Sequence, residues 1–546
     1  MTAEGVDDST TSVPERTSRR LLLATRIASI VIVTVVVAWF AWLSDDALIT
    51  IRTALNTAHG YGPVFNIDER VQAYTHPLWF GVLLGAGWLT GQWMLMPMLL
   101  GIGATAGATA VIVSQVRQVS RIVVLTTALV LSNAFVEYAT SGLENSLSYL
   151  LLAGLLIAAY RLLRAPSLGW AIAAGALTAA LLLNRLDLVL LIAPLGIYIT
   201  FKLRTHIAAL VSMLVTAAVP VIVWFTFSVI YYGTLLPTTF TAKTNVEIPR
   251  AELLVGGIRY FSVTFINDPV SFLILLAGGI FAIVIGGTVT RLSMIGVGLY
   301  LLYVVWIGGD FMAGRFVAVP VFITVAVLAL ERAGVYVSLV SGITRREGRT
   351  RSRAAQQIAA LGVIALLAPM IIMGWGRSDT LTDELPLGGR WSFVENGGIA
   401  DERGFYMAFG RGLWQYLGNL RPIDQAFFAD NEEKPEDFRN DLVQLQASAA
   451  AWRGDIETGD FTIRCGGLGE GGLFGGPTMH VLDTCGLSDA FIASIPFVSQ
   501  DFDWRAGHFA RGIPVGYIDA IIENDPSLVE DVVLRERLIR IWDRIR

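Results

Sequence analysis

The chain has 546 residues, of which 54% are hydrophobic and only 16% charged, with a mean hydropathy of +0.60; that excludes an ordinary soluble globular protein and a disordered one, and requires a polytopic membrane protein. The net charge of -5 hides an asymmetry: residues 1–376 carry 24 basic and 17 acidic side chains, residues 377–546 carry 16 and 28, so the two parts face different solvents. No basic patch with interleaved aromatics supports nucleic-acid binding.

Residues 1–20 read as a polar cytoplasmic leader. A spanning helix needs about 20 mostly apolar residues, and such runs occur near 21–43, 94–116, 121–138, 144–163, 168–184, 187–203, 207–232, 270–288, 291–307, 314–334 and 358–376, about eleven in all. The first lacks a small-residue cleavage site and is read as a retained helix. Basic residues at Arg16, Arg19 and Arg20, at Arg117 and Arg121, at Arg161 and Arg164, at Lys202 and Arg204, and at Arg345 through Arg353 place those segments in the cytoplasm by the positive-inside rule. A crossing at 77–93 would reverse every later loop, so that stretch is expected to lie along the interface, with Trp79, Trp88 and Trp93 at headgroup level. The outward loops are then 44–76, 139–143, 185–186, 233–269 and 308–313, and residues 377–546 form an extracytoplasmic domain, expected to be α/β or mainly β from stretches such as "FTIRC". No repeat with a period of 20 to 50 residues stands out.

In chain order, the first loop opens on adjacent carboxylates, Asp45 and Asp46, at the end of an apolar helix. Helix capping accounts for one aspartate better than two, because like charges side by side raise a pKa or need a cation between them. A divalent cation, Mg²⁺, Mn²⁺ or Ca²⁺, suits such oxygens. Arg52 lies within two helical turns, able to pair with a carboxylate or a phosphate, and His76 precedes Pro77 at the loop's exit, as a packing or a catalytic group. Glu144 stands at the outer mouth of a span, and "NRLD" brings Arg185 and Asp187 together, either as a mutual pair or as part of a phosphate site. Lys243, one of three lysines, follows the aromatic exit at Tyr231 and Tyr232 and suits a phosphate or a lipid headgroup. "WIGGDFMAGRF" sets Asp310 and Arg315 in a tight turn where Gly308, Gly309 and Gly314 permit close backbone approach.

The tail's "CGGLGEGGLFGG" lacks the ending of a phosphate-binding loop and a βαβ setting, and reads as a flexible loop clasped by the chain's two cysteines, Cys465 and Cys485, which suit a disulfide if the tail is exported. His480, Asp483 and His508 lack zinc-type spacing. Trp391, Trp414, Trp452 and Trp504 either stack on sugar or fill a core.

The order of these features resembles the C-type superfamily of membrane glycosyltransferases (GT-C fold), whose mark is acidic residues in the first outer loop. More narrowly, "SDDALITIRTALN" with "VQAYTHPLW", "YYGTLLPTTFTAK", "WIGGDFMAGRF", "VLDTCGLSDAFIA" and "RAGHFARGIP" are similar to the terminal β-1,2-arabinofuranosyltransferases of mycobacteria and corynebacteria, over about residues 40–520. The resemblance implies a decaprenyl-phosphate arabinofuranose donor and, as acceptor, the arabinan ends of arabinogalactan, with lipoarabinomannan an open second acceptor. It implies Asp45 and Asp46 as the catalytic acidic pair, with Arg185, Lys243 and Arg315 on the donor phosphate. It also implies that a β-linked donor yields a β-linked product, so retention needs a carboxylate nucleophile or attack from the leaving-group face. Two other readings stand beside it: a related transferase using another polyprenyl-phosphate sugar such as mannose, and a flippase for lipid-linked sugars, which paired interrupted helices would favour. Oligomeric state has no signature in the sequence.

Overall fold

A computed structural model describes residues 12–331, 398–408, 412–418, 461–499 and 504–546. The expected span at 358–376 and the tryptophans Trp391 and Trp452 lie outside the described residues.

Every other expected span falls on helix: α1 Ser12–Trp39, α4 Leu95–Gln115, α5 Val119–Leu131 with α6 Asn133–Tyr138, α7 Asn145–Arg164, α8 Leu168–Asn184, α9 Val189–Leu203, α10 Ile207–Tyr232, α13 Pro269–Val284, α14 Thr288–Trp306 and α15 Arg315–Leu330. By length and composition, six helices among the described residues are long and apolar enough to cross a membrane. A seventh is reached if the bent pair α12 Arg250–Asn267 and α13 counts as one. The eleven-span expectation is therefore met only in outline, and two breaks explain part of the difference. The run 121–138 is interrupted at Ser132, whose hydroxyl caps α6. The run beginning at 270 is preceded by α12 at 109°, with Asp268 capping α13 through Ser271 and also accepting the Ala134 N–H.

Helix α8 packs along α7 and α10, α4 along α1 and α7, and α14 along α9. Helix α15 sits among them, touching α4, α5, α6, α7, α13 and α14. It is apolar on every side and buried from Val317 through Val327, as a helix without a polar face must be. At one end of the bundle arginines close the helix termini: Arg26 donates to the Val116 carbonyl, Arg161 to Gln115 and Arg121 to the Glu331 carbonyl. The other end gathers the loops 44–76, 139–143, 233–269 and 308–313 together with the tail.

Helix α3, Pro77–Thr90, has 14 residues, or about 21 Å, short of the roughly 30 Å hydrocarbon core. Its tryptophans depart from the expected headgroup belt. Trp79 is buried and donates to the Gly142 carbonyl, Trp93 is buried against Gly87, and Trp88 stands out. The indole N–H of Trp79 finds a backbone carbonyl inside the protein, which the interface would otherwise have supplied as water.

The tail's described residues form short helices and two parallel strand pairs, β2 Phe461–Arg464 with β3 His480–Asp483, and β4 Phe497–Val498 with β1 Val246–Glu247 from the loop 233–269. Arg511 fastens the same junction, donating to the carbonyls of Ala242, Asn245, Cys485 and Ile495. The glycine-rich stretch expected as a loop is a helix, Leu468–Gly475, lying on α2, Asp45–Ala58. Its glycines explain this: a Cβ at Gly469 would fall against the Asp45 carbonyl and 2.9 Å from the Ile49 nitrogen, and one at Gly472 would fall 2.6 Å from the Phe65 ring.

Candidate active site

Helix α2 begins where Ser44 accepts the Ala47 N–H, so Ser44 is the cap and both aspartates lie in the first turn. Consecutive helical residues point about 100° apart, and the two carboxylates diverge accordingly. Asp45 turns to the tail: its Oδ2 accepts the Gly469 N–H at 2.9 Å and its Oδ1 the Glu470 N–H at 2.8 Å, at the start of the helix Leu468–Gly475. Asp46 turns the other way and meets the Arg315 guanidinium at 3.3 Å, with a quarter of its side chain exposed.

Arg315 is the hub of a charged cluster. It is the first residue of α15, placed there by the positive φ of Gly314, and its guanidinium lies 3.8 Å from Asp310 and 3.9 Å from Glu144 as well as beside Asp46. Glu144 in turn lies 3.6 Å from Arg185 and 3.4 Å from His76 Nδ1. Thr50 of α2 bonds His76 Nε2 at 2.9 Å. Burial pushes the His76 imidazole below its usual range despite the Glu144 charge. In the neutral ring one nitrogen donates and the other accepts, with Thr50 at Nε2 and Glu144 near Nδ1. Arg185 has four of its five donors engaged: it bonds Asp187 through Nε and Nη2, and donates to the Tyr300 hydroxyl at 2.6 Å and to Asn145 at 3.1 Å. Burial raises Asp310, which Arg315 and Lys243 counteract. Among the described residues, Arg315 Nε, Asp310 Oδ2 and Glu144 Oε2 are buried without a hydrogen-bond partner, which is hydrogen-bonding capacity left for another molecule.

The tail closes the cluster from above. Gly507, at φ +79°, turns the chain so that Arg505 and His508 pair across it, and a Cβ there would lie 3.6 Å from Lys243 Nζ. His508 stands edge-on to Phe311, Arg505 lies over the same ring, and Arg505 meets Glu402 at 3.1 Å. Burial holds His508 down to about 4, helped by Arg505, and pushes Glu402 up to about 8 against the pull of Arg505. A cleft beside Asp310 is lined by Arg259, Gly308, Ile399 and Trp504. Trp504 donates to Glu252 and covers Gly256.

The structure thus brings Asp46, His76, Glu144, Arg185, Asp310 and Arg315 into one cluster, with Lys243 at its edge. Arg52 lies on a different face of α2: it is fully buried, donates to the Met479 carbonyl at 2.6 Å and lies over Phe65. Cys465 and Cys485 are joined, with their Cα atoms 4.9 Å apart, and bracket the helix that Asp45 caps. His480 meets Asp68 of the first loop, and Asp483 accepts the N–H groups of Cys485 and Ser488. Asp45 and Asp46 do not present their oxygens to a common point, and no group of three or more His, Cys, Asp or Glu among the described residues is arranged for a metal ion. The donor set does not fit a divalent cation; a guanidinium stands beside Asp46 instead. Sequence reasoning missed Tyr300, Arg505, Glu402 and Thr50. Tyr300 is hidden in an apolar run, and the others act only through contacts distant in sequence.

The motifs have counterparts in two curated proteins. The terminal β-(1→2)-arabinofuranosyltransferase of Mycobacterium tuberculosis is 27% identical over 447 residues, covering 74% of this chain and 68% of that protein. The enzyme of the same name from Corynebacterium glutamicum is 29% identical over 331 residues, covering 52% of this chain and 46% of that protein. Both carry the name of the group that the sequence motifs resemble. No family model matches the chain, and no solved structure matches it.

Proposed function

We propose that this chain is a membrane glycosyltransferase that moves arabinofuranose from a polyprenyl-phosphate donor onto arabinan ends through a β-1,2 linkage. The carrying observation is the cluster around Arg315, with buried, unspent hydrogen-bonding groups beside a partly exposed carboxylate, in a chain similar to two proteins named for that transfer. The loops and tail lie on the extracytoplasmic side and the arginine-closed end on the cytoplasmic side, which the positive-inside rule supports.

Within the aspartate pair the roles divide. Asp46 is the reacting carboxylate, open enough to meet a sugar hydroxyl and held by Arg315. Asp45 positions α2 against the tail and has both oxygens occupied by backbone N–H groups. Arg315 and Lys243 face the donor phosphate and stabilise the charge that develops as it leaves; Arg185 holds Glu144 in place. His76, neutral and fixed between Thr50 and Glu144, orients Glu144. With Asp45 occupied, retention proceeds either through a covalent sugar ester on Asp46 or by attack on the leaving-group face. The polyprenyl chain lies in an apolar cavity of about 340 Å³ between α7, α8, α9, α10, α14 and α15 that begins near Leu182 and Val189, either side of Arg185.

The test is transfer from a synthetic polyprenyl-phosphate arabinofuranose to a short arabinoside, with the linkage read by NMR and a polyprenyl-phosphate mannose donor in competition. A β-1,2 product, retained in a chelator, is expected. Transfer of mannose in preference, or activity that needs an added divalent ion, overturns the donor or the metal-free reading respectively. Absence of any transfer favours the flippase.

A further inference from the structure

Helix α10 has 26 residues, about 39 Å at 1.5 Å per residue, which exceeds the roughly 30 Å hydrocarbon core. Its exposed apolar side chains continue to Ile230, 76% exposed, and it ends at the partly exposed Tyr231 and the buried Tyr232, with Gly233 as cap. Tyrosine at the end of a lipid-facing helix marks headgroup level.

The helix Val532–Ile545 of the tail docks at this level. A Cβ at Gly233 would lie 3.3 Å from the Arg544 Cβ, and Arg70 donates to the Arg544 carbonyl while lying 5.9 Å from the Tyr231 ring. The docked helix is amphipathic: Leu538, Ile541, Trp542 and Ile545 are buried. Arg540 and Arg544, one turn apart, face outward. Arg540 is 65% exposed, with Glu536 at a loose 3.9 Å. Arg535 and Arg537 are turned to the carbonyls of Val529 and Ser494 and Arg70 to those of Arg544, Ile545 and Arg546, whereas Arg544 gives only its Nε to the Arg540 carbonyl and stays exposed. The acidic neighbours are Glu536, Asp543 and Asp68, the last shared with Arg546 and His480.

We infer that Arg540 and Arg544, on the helix that Arg70 holds, form a binding surface for anionic phospholipid headgroups, pinning the tail to the bilayer at the end of α10. The occupant follows from charge and place: the helix packs against the end of α10, continuous with that helix's lipid-facing side, and its cations stand at headgroup height. The tail helix thereby fixes the height of the first loop, since Arg70 belongs to that loop.

The test is hydrogen exchange of residues 532–545 in the full chain, held in nanodiscs of phosphatidylcholine alone or mixed with phosphatidylglycerol. Phosphatidylglycerol should slow exchange by about 30-fold, two arginines at about 1 kcal/mol each, and less at high salt. The variant Arg540→Gln/Arg544→Gln should lose the effect with the fold intact, because both side chains are exposed; Glu536→Gln should strengthen it. Equal exchange in the two discs overturns the inference, as does slowing that persists in the double variant. Slowing produced in phosphatidylcholine discs by inorganic phosphate also overturns it, in favour of a soluble anion.

Discussion

Replacing each aspartate of the pair by asparagine separates their roles, because their surroundings differ. Asp45→Asn leaves one acceptor oxygen for two backbone donors and sets an amide NH₂ against the other, at a buried site. A hydrogen bond to a charged group contributes about 1.5–3 kcal/mol, so this variant should lose about 2 to 3 kcal/mol of stability. Its residual activity should follow the folded fraction. Asp46→Asn removes an ion pair that is a quarter exposed on the aspartate side and leaves Arg315 with Asp310 and Glu144, a change of about 1 kcal/mol or less. As the reacting carboxylate, however, Asp46 should account for about 10²- to 10⁴-fold in kcat. Thermal unfolding in detergent and transfer to a short arabinoside, measured on the same preparations, give both numbers. Full activity in Asp46→Asn, or an Asp45→Asn protein as stable as wild type with kcat abolished, refutes the division.

Gly469→Ala should destabilise by about 1–3 kcal/mol, the usual range for overpacking, since its methyl group meets the backbone of α2; Gly466→Ala, with open space around it, should not, and equal unfolding midpoints for the two would contradict the close helix contact. Opening the Cys465–Cys485 bond, which spans 20 residues, should cost on the order of 3 kcal/mol by the chain-entropy model, seen as a lower unfolding midpoint in Cys465→Ser/Cys485→Ser. Burial beside Asp489 pushes Glu69 up to about 8 from 4.5. The folded state therefore holds a proton that the unfolded state releases, and stability from this group falls as pH rises from about 4.5 to about 8. The unfolding midpoint of Glu69→Gln should gain on wild type across that window, and a constant difference would count against the buried, protonated Glu69.

Much of the helical architecture was legible because hydrocarbon solvent imposes a single rule, about 20 apolar residues per crossing, and α1, α4, α7, α10 and α14 obey it. The rule fails where a polar residue interrupts an apolar run to make a contact with distant chain. Ser132 and Asp268 each cap the helix that follows, through the N–H groups of Phe135 and Ser271, and Asp268 also accepts the Ala134 N–H, a partner that local sequence does not imply. Trp79's partner was hidden for a similar reason: only the fold reveals the Gly142 carbonyl beside it. The glycine-rich stretch carries the opposite lesson. Its composition suggests looseness, yet Gly469 lets the helix meet the backbone of α2, and Gly472 leaves room for the Arg52 and Phe65 side chains.

The charged residues of the site were legible as a set because charge near a bilayer is costly and so tends to be paired or functional, but their roles were not. Asp45 and Asp46 are chemically identical and adjacent, and nothing in a one-dimensional reading distinguishes them. What does so is the helix that begins at Ser44, which turns neighbouring side chains about 100° apart and delivers one carboxylate to the tail's amides and the other to Arg315. Likewise Arg52, two turns further along the same helix, faces the Met479 carbonyl instead of the Arg315 cluster. One short helix therefore does two jobs: one side is gripped by the disulfide-bracketed glycine helix, and the other presents Asp46. A loosened grip should reach Asp46, the proposed reacting carboxylate, by moving the whole helix, which is why the tail and the first loop are expected to fail together.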